Sequence, residues 1–342
     1  MELVKFQKKL REKILVMDGA MGTEIQSKKL SEEDFRGNLF KDYSKDLKGN
    51  NDLLNLTQPE VIKEIHKSFL NKGSDFIQTN TFNSSSISQN DYGLAERAYE
   101  LNFNGARIAK EIIKELKANA WVIGSIGPTN TTASMSPDVT DPSKRNILFD
   151  QLVNSYKECI EGLIDGGVDF LMFETIFDTL NVKAGIYAYI DKCIEIGKEV
   201  PLMISGTITD NSGRTLSGQT PEAFWTSIKH ANPFSVGFNC ALGAEQLRPH
   251  LVSLNKSSDV PISLHPNAGL PNEMGEYDET PSHMAKVIKE MAENGLLNIV
   301  GGCCGTTPEH IEAIKDAVEG IKPRKLTTHK QQSTFSGLEH LV

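Results

Sequence analysis

Eight short apolar runs that do not alternate with polar residues constrain this chain more than any other feature. They are Ile14-Leu-Val-Met17, Phe76-Ile-Gln-Thr79, Trp121-Val-Ile-Gly-Ser-Ile126, Phe170-Leu-Met-Phe173, Leu202-Met-Ile-Ser205, Ser235-Val-Gly-Phe238, Val260-Pro-Ile-Ser-Leu264 and Asn298-Ile-Val300. A strand wetted on one face alternates, whereas a parallel strand covered on both faces reads as a continuous apolar run. The segments between, such as Pro59 to Leu70 and Phe149 to Leu163, carry apolar residues at helical spacing. Buried strands each followed by a helix predict an α/β chain, a (β/α)8 TIM barrel with its site at the C-terminal ends of the strands. An open doubly wound sheet is the alternative, but Asp18-Gly-Ala-Met-Gly-Thr23 lacks the GxGxxG spacing of its dinucleotide fingerprint.

Residues able to carry chemistry follow these runs: Asp18 the first, Asn80 the second, Glu174 the fourth, Cys240 the sixth, His265-Pro-Asn267 the seventh and Cys303-Cys304 the eighth. Adjacent thiols share one metal only where the backbone bends sharply, which Gly301, Gly302 and Gly305 permit. With Cys240, three thiolates would converge from two strand ends. A catalytic zinc uses three protein ligands and keeps the fourth position for substrate. No CxxC or HxxxH pair supplies a fourth strong ligand, so the site reads as open. Asn267 is a candidate weak fourth ligand, and an ordinary turn asparagine is an equal reading. Cys159 and Cys193, isolated on helix-type segments, read as small hydrophobes. Thr307-Pro-Glu-His310 reads as a capped helix start, which makes His310 a surface or packing residue. His265 is expected to have a local hydrogen-bonding role.

The 342 residues, 39% hydrophobic, suffice for a large core. A net charge of −9 argues against nucleic acid as partner. No stretch approaches the roughly 18 apolar residues of a membrane span. Met1 to Lys9 holds no apolar signal run, and five cysteines suit reduced usage, so the expectation is a cytoplasmic protein without disulfides. The polar, aperiodic stretch from Lys322 to Gly337 suits a linker or tail, which divides the chain into a barrel over 1–325 and a tail over 326–342.

Zinc on three thiolates is electron-rich, a poor activator of water and a good partner for another thiol. A free thiol titrates near 8.5, and coordination to a cation deprotonates it. Alkyl transfer to a substrate thiol is the reaction implied. Asp18 and Glu174 are assigned to a substrate ammonium, with a turn or cap role the alternative for Asp18. The turn from Gly19 to Gly22 offers backbone N–H groups to a carboxylate. Together these describe an amino acid bearing a thiol.

At Met17-Asp-Gly-Ala-Met-Gly-Thr-Glu-Ile-Gln26, Phe173-Glu-Thr175, Gly237-Phe-Asn-Cys240 and Gly301-Gly-Cys-Cys-Gly-Thr-Thr-Pro308 the chain resembles the homocysteine S-methyltransferase family. It is most similar there to the N-terminal homocysteine-binding module of cobalamin-dependent methionine synthases. Longer stretches extend the likeness: Asp34 to Gly37, Asp46 to Leu54, Asn80 to Asn83, Gly127 to Ala133, Ser205 to Asp210 and His265 to Pro271. The resemblance implies Zn2+ on Cys240, Cys303 and Cys304, homocysteine contacts at Asp18, Gly19 and Glu174, and methylation of homocysteine to methionine. It implies methylcobalamin as donor, carried on a separate module or subunit, and cobalamin- and folate-binding modules as partners. Ala20 departs from the pattern, where a second glycine is common. No Asp-x-His-x-x-Gly corrinoid motif is found, and Ser336 to Val342 resembles the start of a linker to a folate module. A stand-alone methyltransferase using S-methylmethionine, S-adenosylmethionine or betaine is the enzymatic alternative. A zinc-thiolate storage or docking protein is the non-catalytic one.

Overall fold

The structure, a computed structural model, describes residues 2–209, 212–272, 275, 277–327 and 332–342. Asp210, which closes one of the stretches of resemblance, lies outside them, as do 328–331 of the expected tail. The fold is a (β/α)8 barrel. Its strands are β1 (Leu15–Val16), β2 (Phe76–Gln78), β3 (Trp121–Ile126), β4 (Phe170–Ile176), β5 (Leu202–Gly206), β6 (Ser235–Gly243), β7 (Ile262–Asn267) and β8 (Ile299–Val300). They form one parallel sheet in the order β1-β8-β7-β6-β5-β4-β3-β2. Each expected run overlaps its strand, because a strand buried on both faces has no polar alternation to blur it.

Three strands depart from the expected ends in ways that matter to the site. β4 runs to Ile176 and β6 to Gly243, so Glu174 and Cys240 lie inside strands and not after them. β7 starts at Ile262, one residue after Pro261, which has no N–H to give a ladder. It runs on to include His265 and Asn267.

The chain divides into two compact units, Met1–Thr23 with Ser68–Ile77 and Met203–Val342, and Glu24–Lys67 with Gln78–Leu202. In the first, Phe6 of the helix Glu2–Glu12 packs its ring 5.6 Å from that of Phe76 and 5.1 Å from that of Phe234. Val16 N–H donates to Asp75 at 3.0 Å, and Lys13 pairs with the same carboxylate at 2.8 Å. In the second, the helices Ala98–Leu116 and Phe149–Gly166 meet through glycine: a Cβ on Gly166 would stand 2.5 Å from that of Ala106.

Sequence reading found no periodicity near the C-terminus, yet Phe335–Ser336 and His340–Leu341 pair as an antiparallel hairpin. It is held by the first unit. Thr220 N–H donates to Leu338 O at 3.0 Å, Ser336 Oγ to Ala223 O at 2.7 Å, and Arg214 pairs with Glu339. Among the described residues, no helix is long and apolar enough to cross a membrane.

Candidate metal centre

Cys240 occupies a distorted part of β6. Its φ is +62° and that of Ala241 is +59°, a left-handed pair without glycine. The β6–β7 register slips between Asn239 and Gly243, as a bulge requires. Such backbone costs on the order of 1–3 kcal/mol per residue and clusters at functional sites. Here it re-aims the Cys240 side chain.

Cys303 and Cys304 are carried by the loop after β8. Cys303 N–H donates to Pro266 O at 2.8 Å, and Cys304 O accepts from Ala268 N–H at 2.9 Å, which fastens the loop to the end of β7. Thr306 closes the turn, its Oγ1 donating to Cys303 O at 2.6 Å. The bend needs its glycines: Gly305 has φ +80°, and a Cβ there would collide with Tyr277.

These two devices bring the Sγ atoms of Cys240, Cys303 and Cys304 within 4.8 Å of one another, with Cys240 and Cys304 3.8 Å apart. Three sulfurs on a tetrahedral zinc at about 2.3 Å would sit about 3.8 Å apart. The donor set therefore fits a thiophilic divalent ion. Asn267 Oδ1, buried on the neighbouring strand, has no hydrogen-bond partner among the described residues, which suits a weak ligand or a ligand-facing atom.

Without a cation the cluster cannot be fully ionised. Hydrogen bonding from Cys240 and then Cys303 pulls Cys304 down to about 3. Hydrogen bonds with Cys240 and Cys304, with burial behind them, hold Cys303 well above an ordinary thiol. In Cys240 the hydrogen bond with Cys303 lowers the pKa, but Cys304 and burial outweigh it and raise it to about 11. One negative charge shared by three sulfurs is what the protein alone supports.

Asp18 is buried just beyond β1, and its carbonyl accepts from Gly302 N–H at 3.1 Å. Gly19 is there for space, since a Cβ would lie 2.8 Å from Thr306 Oγ1 and 2.9 Å from the Phe69 ring. The amide of Ala20, next in that turn, donates to Thr306 Oγ1 at 3.1 Å and so is not open to a carboxylate. Glu174, in the other unit, is buried on β4 and accepts from Ser125 Oγ of β3; the next residue, Thr175, has φ +56°.

The other expectations divide. Cys159 is buried, as a packing thiol would be. His310 packs at the start of the helix Pro308–Val318, with Nε2 2.8 Å from Glu279 O. His265 is fully buried, and burial lowers it to about 4. Its Nε2 makes no hydrogen bond among the described residues, so the expected local bonding does not pass through that atom. Sequence reading missed Asn239 and Tyr277. Asn239 Nδ2 is 3.9 Å from Cys303 Sγ, and Tyr277 packs against Gly305, the residue after Cys304. An amide inside the apolar run of β6 was a usable signal for the first; none existed for the second.

The homocysteine S-methyltransferase model matches residues 15–318. The chain belongs to the homocysteine S-methyltransferase family. Its fold is similar to that of the Escherichia coli homocysteine methyltransferase MmuM. For the oxidised form of that protein the TM-score is 0.69 at 20% identity, over 89% of this chain and 95% of that one. For the metallated form it is 0.67 at 20% identity, over 92% and 99%. Membership makes this chain a methyltransferase of homocysteine at the level of the family.

Proposed function

We propose that this chain is a zinc-dependent methyltransferase that makes methionine from homocysteine in the cytoplasm, with methylcobalamin on a separate module as donor. The observation that carries it is the three Sγ atoms within 4.8 Å, one pair at the spacing of a tetrahedral site. When bound, zinc supplies the positive charge that lets the substrate thiol ionise near neutral pH. Cys240, Cys303 and Cys304 hold it and leave one position open. The substrate sulfur then uses its own electron pair to form the S–C bond, and the donor keeps the pair of the bond that breaks. Asp18 and Glu174 are assigned to the ammonium end because each is a buried carboxylate at the carboxyl end of a barrel strand.

A second reading is favoured by the family match itself, which spans the barrel that stand-alone members share. It keeps the same thiolates and replaces the donor with S-methylmethionine, S-adenosylmethionine or betaine. Calorimetry in buffers of differing ionisation enthalpy tests what the two readings share. The zinc-loaded protein should bind homocysteine one to one with metal and release a proton near neutral pH. Metal without homocysteine binding would mark a storage or docking protein instead.

A further inference from the structure

A divalent ion on three thiolates carries a net charge of −1, and a fourth, substrate thiolate takes it to −2. Burying that charge is costly unless hydrogen-bond donors meet it. Two of the three sulfurs have a side-chain donor group beside them. The Asn239 side-chain amide lies 3.9 Å from Cys303 Sγ, and Tyr277 stands against Gly305, the residue after Cys304.

The two side-chain donors are themselves held. Asn239 is fully buried on β6, and Ser205 Oγ, on β5, donates to its Oδ1 at 2.7 Å. An amide carbonyl that accepts from Ser205 leaves only the NH2 end to face the sulfur. Tyr277 lies against Gly305, the residue after Cys304, where any Cβ would strike it. Its segment is tied down two residues on, by Glu279 N–H to Ala268 O at 3.3 Å and by His310 Nε2 to Glu279 O at 2.8 Å. That second contact gives the buried His310 a purpose beyond packing.

We propose that Asn239 and Tyr277 are positioning residues of the metal centre, each donating a hydrogen bond to one thiolate and so setting how strongly Cys303 and Cys304 release charge to the metal. The proposal rests on the metal reading above. Outer partners of this kind orient ligands and tune the ion, and losing one typically costs 10- to 100-fold in metal affinity.

The test uses Tyr277→Phe, which keeps the ring over Gly305, and Ser205→Ala, which leaves Asn239 in place but frees its amide. Both are loaded with cobalt(II) in place of zinc, and the thiolate-to-cobalt charge-transfer band is recorded. Removing a donor raises the energy of the sulfur lone pair, so the band should move to lower energy in both variants. Zinc affinity, measured by competition with a chromophoric chelator, should fall roughly 10- to 100-fold for Tyr277→Phe and less for Ser205→Ala. An unmoved band with parental zinc affinity in both variants would overturn the proposal while leaving the metal site standing. A parent protein with no thiolate-to-cobalt band would instead remove the metal reading and this proposal with it.

Discussion

The Sγ atoms of Cys240 and Cys304 stand 3.8 Å apart although 64 residues separate them in the chain. The left-handed turn at Cys240 and Ala241 and the hydrogen bonds that pin the Cys303-Cys304 loop to β7 produce that approach together. One zinc per chain is therefore expected. Replacing Cys303 and Cys304 together by serine should abolish stoichiometric metal, whereas Cys159→Ser, far from the cluster in sequence and buried beside Ser84 O at 3.6 Å, should retain it. Metal analysis after exhaustive dialysis decides this. Full zinc content in the double variant would show that these sulfurs are not its ligands.

Glu174→Gln should weaken homocysteine binding without affecting metal. The substitution keeps the shape and the acceptor for Ser125 but removes the charge that would meet an ammonium. A charge-assisted bond is worth about 1.5–3 kcal/mol, so affinity should drop roughly 10- to 100-fold. The des-amino analogue of homocysteine should bind parent and variant alike. Equal homocysteine affinities, or loss of zinc in the variant, would give Glu174 another role.

Much of the barrel was readable because burial on both faces writes each strand as an unbroken apolar run, and because strand ends collect residues such as Asp18, Glu174 and Cys240. The three thiols were readable because glycine around a thiol pair has no packing purpose. What could not be read depends on contacts distant in sequence. Cys240 turns toward its partners through a left-handed alanine, and nothing marks Ala241 as unusual in the sequence. The hairpin at 335–341 is too short and polar to announce itself; its partners Arg214, Thr220 and Ala223 lie more than a hundred residues upstream. Tyr277 stands against Gly305, beside Cys304, on a segment fastened at Glu279 to Ala268 and His310, contacts that nothing near Tyr277 in the sequence announces.

The donor separates the two functional readings. If methylcobalamin is the donor, the isolated chain should methylate homocysteine slowly with the free cofactor, since holding donor and nucleophile together is then lost. A supplied cobalamin-binding partner should accelerate the reaction. S-methylmethionine, S-adenosylmethionine and betaine should give no turnover above background. Rapid methionine formation with any of those three alone would transfer the assignment to the stand-alone type.

His66, on the helix Pro59–Asn71, should set part of the acid sensitivity of this protein. The ring is fully buried and neither nitrogen has a hydrogen-bond partner among the described residues, so burial alone lowers its pKa from 6.5 to about 3. Between those values the unfolded chain binds a proton that the folded chain refuses. Stability from this group is therefore complete above pH 6.5 and falls with acidification by about 1.4 kcal/mol per pH unit. Asp52 acts in the opposite sense. Burial raises it from 3.8 to about 6, so the folded state holds the extra proton there and gains stability as pH falls through that window. The two slopes offset each other in the parent between about pH 4 and 6. His66→Leu removes one of them and two unsatisfied ring nitrogens. The variant should gain on the parent by about 1.4 kcal/mol for each pH unit below 6.5. Urea unfolding of both proteins at pH 7, 6, 5 and 4 measures the difference. A gap that stays constant with pH would mean that His66 takes up its proton in the folded state as readily as in the unfolded one.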